Sequence, residues 1–275
     1  MAASVSSVTR RRLYVPEALL SPMSGLISAD INYQPHKVTV KLRSEASKTA
    51  ELFAIGSELC FGKICDTNSF WMADHLTKLG VQVQRITCLT DDLDNITSAV
   101  RDSLSRSPAF LFLSGGLGPT KDDMTIEALS RVTGVPTRVD LGTLQRFAER
   151  EKVPLEKLDK TLTKMAVTLV GAECLSNPVG WAPATHLKFG RTEVFALPGP
   201  PAEMKGLFSK HVSRIVGDRT GLKSRSSRFV ATMYEEELSA LTDPLAAKKG
   251  DVYIKPLVSA YKPDTGLPLE ILVFG

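Results

Sequence analysis

The stretch at residues 109–129 constrains the fold of this chain most, because a buried strand runs there into a glycine-rich loop and then into a helix. Residues 109–113 form a continuous apolar run, which is typical of a strand buried on both faces. The loop that follows begins with small residues, Ser114, Gly115, Gly116 and Gly118. Glycine has no Cβ, so backbone N–H groups in such a loop can approach a ligand closely. A glycine loop between a strand and a helix N-terminus predicts a phosphate site, although a plain strand-to-helix turn has the same pattern.

Two aspartates, Asp122 and Asp123, follow the glycine loop directly. Their position suits the N-cap and first turn of the helix, whose apolar residues recur as far as Gly134. The loop is not a Walker loop, because no Gly-Lys-Ser/Thr sequence follows it. A carboxylate beside bound phosphates repels them unless a cation lies between the two groups. The acidic pair therefore predicts Mg²⁺ or a similar divalent metal at this site.

A second polar loop, residues 56–68, also follows a segment with the pattern of a strand, residues 51–55. Asp66 or Thr67 is expected to cap the helix that comes next. The apolar residues of that helix share one predicted buried face, made of Phe70, Ala73, Leu76 and Leu79. Strand and helix patterns alternate over residues 51–113, which predicts an α/β fold with a parallel sheet. Because ligands bind at the carboxyl ends of such strands, both polar loops are expected to open on the same rim.

The chain divides into three segments by pattern. Residues 1–50 show no sustained periodicity and are expected to form a flexible or poorly structured extension. Residues 51–217 contain the patterns of the main domain, and residues 225–275 show a small β-α-β-β pattern. The first sixteen residues are basic and serine-rich, like an organellar presequence, but a flexible tail is the preferred interpretation.

Composition narrows the class of protein. A hydrophobic content of 43% is that of a globular protein, and no apolar run approaches the roughly 20 residues that span a bilayer, so no membrane partner is expected. The net charge of +4 lies in the first 50 residues, and the balanced remainder argues against a nucleic-acid binder. The four cysteines form no Cys-x-x-Cys pair, so a reduced compartment and a cytoplasmic location are expected.

Four motifs occur in order along the chain. The first is Gly56-Ser57-Glu58 with Gly62 and Asp66-Thr67-Asn68, and the second is Gly115-Gly116-Leu117-Gly118-Pro119-Thr120-Lys121-Asp122-Asp123-Met124-Thr125. The third is Asn177-Pro178-Val179-Gly180-Trp181-Ala182, and the fourth is Leu197-Pro198-Gly199-Pro200-Pro201-Ala202-Glu203-Met204. Together they resemble the molybdopterin-binding (MoCF) domain of CinA-like proteins, which also occurs in MogA- and MoaB-like molybdopterin adenylyltransferases and in some FAD synthases. The resemblance covers residues 50–275. It implies a three-layer, parallel-sheet domain of the MoCF/MogA type, followed by a small α+β subdomain of the KH type.

The resemblance also implies roles for individual residues. Asp66 and Asp123 would hold a divalent metal such as Mg²⁺, and Glu58 would be a third ligand or the general base. The remaining matched positions would contact substrate or phosphate: Asn68, Ser114, Gly115, Gly116, Gly118, Thr120, Thr125, Asn177, Gly180, Pro198 and Gly199. Because MoCF domains generally associate, a homo-oligomer, either a dimer or a trimer, is expected.

Two departures from the family pattern bear on function. Ser57 stands where the family usually has an aspartate, and the amidohydrolase domain of full-length CinA proteins is absent, so nicotinamide-mononucleotide deamidation is not carried over. Three functions are compatible with the motifs. The first, which the resemblance to CinA-like proteins implies, is metal-dependent hydrolysis of a nucleotide pyrophosphate, of the ADP-ribose or FAD type. The second is molybdopterin adenylyltransfer, and the third is nucleotide or pterin binding without turnover, which Ser57 favours.

Each acid also has a plainer interpretation. Asp66 and Asp123 can be helix caps without any metal, although a cap can also be a ligand. Glu58 can be an ordinary surface acid of its loop. Placement of the Asp66 and Asp123 carboxylates at one edge of the sheet is the minimum that the metal hypothesis requires.

Overall fold

The computed structural model describes residues 48–221, 226–231, 235–248, 253–257 and 269–274. They fall into two compact units, of which the larger lies within residues 47–224 and the smaller within residues 225–275. Almost all of the predicted extension, including its presequence-like start, lies outside the described residues.

The larger unit alternates strands and helices along most of its length. Its strands are β1 (Lys48–Ile55), β2 (Val81–Leu89), β3 (Phe110–Ser114), β4 (Thr137–Val139), β5 (Val167–Leu169), β6 (Glu173–Leu175), β7 (Ala184–Phe189) and β8 (Thr192–Leu197). Its helices are α1 (Ser57–Cys60), α2 (Thr67–Lys78), α3 (Leu93–Arg106), α4 (Thr125–Thr133), α5 (Leu141–Glu151), α6 (Lys160–Met165), α7 (Pro201–Leu207) and α8 (Ser213–Thr220). A π-helical segment, Phe208–Val212, joins the last two helices.

The central sheet has six strands in the order β2-β1-β3-β8-β7-β6. The first four are parallel, which confirms the predicted α/β fold with a mainly parallel sheet. The sheet continues through two antiparallel strands, β7 and β6, which the sequence did not predict. Their local signal is weak, because β6 has three residues and β7 mixes apolar side chains with polar ones such as His186 and Lys188.

Helices cover both faces of this sheet, so the domain has three layers. Alternate side chains of β3 enter different cores, because successive residues of a strand point to opposite faces. Phe110 and Phe112 pack in a core with residues of α2 and α7. Leu111 and Leu113 pack in a second core with residues of α3 and α4. All of β3 is buried, as its continuous apolar run predicts.

Helix α2 differs from the prediction in the face that it buries. Asn68, Ser69, Met72 and Leu76 are the buried residues, whereas Phe70 has 79% of its surface exposed. The predicted face included Phe70 because Phe70, Ala73, Leu76 and Leu79 recur at helical spacing. The observed face begins with two polar residues instead, because this end of α2 lies at the rim of the sheet.

The smaller unit consists of β9 (Ser226–Ala231), α9 (Glu235–Lys248), β10 (Tyr253–Leu257) and β11 (Leu269–Phe274). The strands form an antiparallel sheet in the order β10-β11-β9. Leu238 of α9 packs against Ile271 of β11, which gives the unit its own apolar cluster. The order of elements is the predicted β-α-β-β, and the KH-type assignment stays a prediction.

None of the helices in the described ranges combines the length and apolar character that a membrane crossing requires.

Candidate functional site

The carboxyl ends of β1, β3 and β8 lie side by side and form one rim of the sheet. Ala54 near the end of β1 pairs with Ser114, the last residue of β3, and Ser114 pairs with Leu197, the last residue of β8. The loops that follow these strands therefore leave the sheet at the same edge. This confirms the expected meeting of loops 56–68 and 114–125, and it adds the loop after β8 to them.

Asn68 connects the three loops by hydrogen bonds. Its Nδ2 group donates to Ser114 Oγ at 3.0 Å and to the Gly199 carbonyl at 2.8 Å. Ser114 Oγ donates in turn to the Pro198 carbonyl at 3.4 Å. Asn68 has 9% of its surface exposed, and its buried Oδ1 atom finds no hydrogen-bond partner among the described residues. An acceptor of this kind needs a donor, so the centre of the rim suits a ligand with an N–H or O–H group.

The glycine loop is folded tightly against the start of α4. Gly115 and Gly116 have φ angles of 112° and 66°, which L side chains rarely adopt. Thr125 Oγ1 donates to the Gly115 carbonyl at 2.7 Å, and the Thr125 N–H group donates to the Gly116 carbonyl at 3.2 Å. A Cβ at Gly116 would collide with Thr125 Oγ1. A larger residue at Gly116 would therefore disturb the fold as well as any bound phosphate.

Asp123 does not cap α4, contrary to the prediction. The helix begins at Thr125, and its N-cap residue, Met124, makes no side-chain cap hydrogen bond. Instead, Asp123 Oδ2 accepts hydrogen bonds from the Thr120 N–H group at 2.8 Å and from Thr120 Oγ1 at 2.6 Å. The carboxylate also occupies the space beside Gly118, where a Cβ would lie 2.6 Å from Oδ2. Asp123 thus closes the glycine loop on itself, and helix capping no longer explains its presence.

Asp66 caps α2 as predicted, since its Oδ1 accepts a hydrogen bond from the Ser69 N–H group at 2.9 Å. Glu58 is exposed on α1, and a Cβ at Gly56 would lie 2.6 Å from its Oε1. Both acids therefore belong to the loop after β1, on the same edge as the glycine loop.

Ser57, at the position of the usual family aspartate, pairs reciprocally with Asp91 of the loop after β2. The Ser57 N–H group donates to Asp91 Oδ2 at 2.7 Å, and the Asp91 N–H group donates to Ser57 Oγ at 3.1 Å. An aspartate at position 57 would bring a second carboxylate against Asp91. Serine avoids that repulsion and fixes the beginning of α1 to the neighbouring loop.

The carboxylates at the rim suit one particular mode of metal binding. In the ranges that the structure describes, no three His, Cys, Asp or Glu side chains are grouped to bind a metal ion. Asp66 and Asp123 each have one oxygen engaged in a loop hydrogen bond. Mg²⁺ commonly binds one or two carboxylates and takes its other ligands from phosphates and water. Asp66 and Asp123 are carboxylates of the type that this mode requires, and the described residues form no all-protein cage.

The third motif is held against α7 and α5. Asn177 Oδ1 accepts hydrogen bonds from the Val179 and Gly180 N–H groups at 2.9 Å and 2.8 Å, while its Nδ2 donates to Glu203 Oε2 at 2.6 Å. Arg150 of α5 donates to the Gly180 carbonyl at 2.9 Å. The described contacts therefore give Asn177 and Gly180 a structural role, and a contact with substrate stays a prediction for both.

An open cleft of about 320 Å³ lies beside the glycine loop. Residues from four parts of the chain line it, among them Gly116, Gly118, Lys121, Asp123, Lys164 and Thr185. Lys164 of α6 also donates a hydrogen bond to the Thr120 carbonyl. The sequence analysis gave Lys121 no role although it lies in the second motif, and no motif contains Lys164 or Thr185. Only the fold brings Lys164 to a loop 44 residues away.

Comparison with known proteins gives consistent matches. Residues 51–217 match the family model MoCF_biosynth, described as a probable molybdopterin binding domain. Protein SSO0103 of Saccharolobus solfataricus is 33% identical over 230 residues, which cover 82% of this chain and 83% of the relative. Protein PH0439 of Pyrococcus horikoshii is 33% identical over 216 residues, which cover 75% of this chain and 84% of the relative.

A solved structure is similar to this chain as well. The protein CinA from Thermoplasma acidophilum, described as having unknown function, is 34% identical, with a TM-score of 0.58. The match covers 62% of this chain and 98% of that chain.

Proposed function

This chain belongs to the MoCF_biosynth family, and on that premise we propose that it hydrolyses a nucleotide pyrophosphate, of the ADP-ribose or FAD type, with the help of a divalent metal. The observation that carries the proposal is the convergence of three loops around Asn68, where an unpartnered acceptor, a glycine loop and acidic side chains share one rim. The match to CinA over nearly the whole of that chain favours the CinA-like branch, to which the motif resemblance assigns pyrophosphate chemistry.

Backbone N–H groups of the glycine loop would hold a phosphate. In the described part of the chain, the N–H groups of Gly116, Leu117 and Gly118 donate no hydrogen bond, whereas those of Gly115 and Thr120 are already engaged. Three consecutive free donors in a glycine loop form a concave anion site. They follow the carboxyl end of a buried strand, where ligands bind in α/β sheets.

The acids of the rim would serve the metal and the attacking water. Asp66 and Asp123 would each offer a carboxylate oxygen to Mg²⁺, and Glu58 would be the third ligand or would accept the proton of the water. A cation bound there would neutralise the charge on the phosphoryl group during its transfer. Asn68 and Thr120 would keep the two loops in register while the substrate binds.

Two other functions use the same rim. The description of the family domain as molybdopterin-binding favours adenylyltransfer, with the phosphate of a pterin as nucleophile in place of water. The serine at position 57 favours binding without turnover, because one acid of the usual motif is missing.

The deciding experiment incubates the purified full chain with ADP-ribose, FAD or NAD and with Mg²⁺, Mn²⁺, Co²⁺ or Ni²⁺, and identifies the products. Release of AMP that stops when EDTA removes the metal supports the hydrolase. Formation of adenylylated molybdopterin from molybdopterin and Mg-ATP, without AMP release from the dinucleotides, supports the transferase instead. Tight ADP-ribose binding with neither product would leave only the binding function.

A further inference from the structure

We propose that Lys164 and Lys121 form a second phosphate position beside the glycine loop, so that the site selects a diphosphate over a monophosphate. This inference rests on the proposed function, because it specifies which part of the substrate the same site recognises. It concerns Lys164, which lies outside the four motifs, and Lys121, which lies within the second motif without an assigned role.

The two lysines reach the cleft from different parts of the fold. Lys121 belongs to the glycine loop, whereas Lys164 lies on α6, between β4 and β5. Lys164 uses one of its three ammonium donors on the Thr120 carbonyl. This bond places the ammonium group at the glycine loop, and two donors remain for a ligand.

The charges in the cleft leave these lysines available. Within the described ranges, neither Lys121 nor Lys164 forms an ion pair with a carboxylate. Of the acids that line the cleft, Glu127 pairs with Arg131 at 2.9 Å, and Asp123 Oδ2 is bound to Thr120. The cleft thus has two ammonium groups without a fixed counter-ion, which is an environment that attracts an anion.

The glycine loop and the two lysines are expected to bind different phosphates, because they offer different hydrogen-bond donors. The free N–H groups of Gly116, Leu117 and Gly118 can surround one phosphate, and a nucleoside monophosphate would use them alone. A second phosphate joined to the first would meet the ammonium groups on the neighbouring wall, since lysine binds phosphate as a point charge. Selection between ADP and AMP would then depend on the lysines, whereas binding of a single phosphate would depend on the loop.

The test measures binding of ADP and of AMP by calorimetry, in buffer with Mg²⁺, to the full wild-type chain and to Lys164→Gln. Glutamine removes the charge and keeps an N–H donor, on a side chain that is one atom shorter. We expect wild type to prefer ADP by about tenfold or more, the scale of one charge-assisted hydrogen bond, and Lys164→Gln to lose most of that preference with AMP affinity little changed. Lys160→Gln, an exposed lysine of the same helix, is the matched control and should bind as wild type does.

Each other outcome has a definite meaning. Equal weakening of ADP and AMP binding would show that Lys164 only supports the loop, and an unchanged ADP preference would exclude it from the site. Either result overturns this inference and leaves the proposed hydrolase standing if AMP is still released from ADP-ribose. Lys164→Arg keeps the charge and should restore the preference. If wild type binds neither ADP nor AMP, this inference is wrong, and AMP release from ADP-ribose still decides the proposed hydrolase.

Discussion

At the scale of single residues, three glycines of the four motifs lie directly against acidic side chains that also belong to these motifs. In each case the carboxylate occupies the space where a Cβ would stand. The pairs are Gly56 with Glu58, Gly118 with Asp123, and Gly180 with Glu203. The sequence indicated glycines that admit a phosphate. The structure adds that a carboxylate of the protein itself already lies against three of these glycines. The sequence pattern alone did not indicate these contacts.

The substitution Asp123→Asn separates the chemistry of this carboxylate from its structural role. Asparagine keeps the size and one acceptor oxygen for Thr120, so the free energy of unfolding should change by no more than about 1 kcal/mol. The negative charge that would hold the metal is lost, so the rate per folded molecule should fall on the order of a hundredfold or more. Melting curves and AMP release measure the two effects, and Asp122→Asn is the control. A variant that turns over at the wild-type rate would leave Asp123 with a structural role alone.

The substitution Asn68→Asp should damage the rim without changing the shape of the side chain. The new carboxylate lacks the two N–H donors and faces Ser114 Oγ and the Gly199 carbonyl, which are 3.0 Å and 2.8 Å from the present nitrogen. Loss of buried partners costs about 1–3 kcal/mol for each group left unpaired, so the melting temperature should fall by several degrees. Ser114→Ala removes one of the two acceptors and should have a smaller effect. An unchanged melting temperature in Asn68→Asp would contradict the bridging role.

At the scale of elements, strand β1 is joined to α3 through a buried acid at the opposite edge from the site. Arg106 Nε and Nη2 donate to the two carboxylate oxygens of Glu51, both at 2.7 Å, and Glu51 has 1% of its surface exposed. Burial alone would raise the pKa of Glu51, but the hydrogen bonds from Arg106 and the charges of Arg106 and Arg85 together hold it below its ordinary value.

This pair should make stability depend on acidity in a definite direction. Because folding lowers the pKa of Glu51, its contribution is complete above the unfolded-state pKa and is lost as pH falls through the folded value. Glu51→Gln should cost about 1.5–3 kcal/mol at pH 7, the scale of hydrogen bonds to a charged group, and should lose less stability than wild type on acidification below about pH 4.5. Urea unfolding at several pH values measures both, with the exposed Glu151→Gln as control. If the free energy of unfolding changed with pH in the same way for wild type and for Glu51→Gln, the predicted link between Glu51 ionisation and stability would be wrong.

The elements also show which parts of the fold can be predicted. The strand at 109–113 and the helix after Asp66 carry complete local signals, since the apolar run and the cap lie within a few residues. The antiparallel strands β6 and β7 do not, because they are defined by pairing across the sheet. The bond between Lys164 and Thr120 is a product of tertiary structure in the same way. The sequence therefore predicted the loops that form the rim, but not the cleft residues that come from distant parts of the chain, such as Lys164 and Thr185.

At the scale of the whole molecule, the larger unit should be sufficient for binding. Among the residues that the structure describes, all those that form the rim and line the cleft lie within residues 47–224. A fragment of residues 47–224 should unfold cooperatively and bind ADP with the affinity of the full chain. Thermal unfolding and calorimetry test this, and gel filtration of both forms tests the predicted dimer or trimer. A fragment that folds but fails to bind ADP would require a contribution from outside it.

The position of β8 in the sheet has a consequence for how the protein is made. This strand lies between β3 and β7, and it brings the Pro198 and Gly199 carbonyls to Asn68. During synthesis, β1, β2 and β3 leave the ribosome before β8. The edge of β3 that pairs with β8 therefore has no partner strand until about eighty further residues have been added. A nascent chain stopped at residue 190 should therefore expose that edge and bind no ADP. Binding should begin only once residues beyond 199 have emerged from the ribosome, which stalled chains of graded length would show.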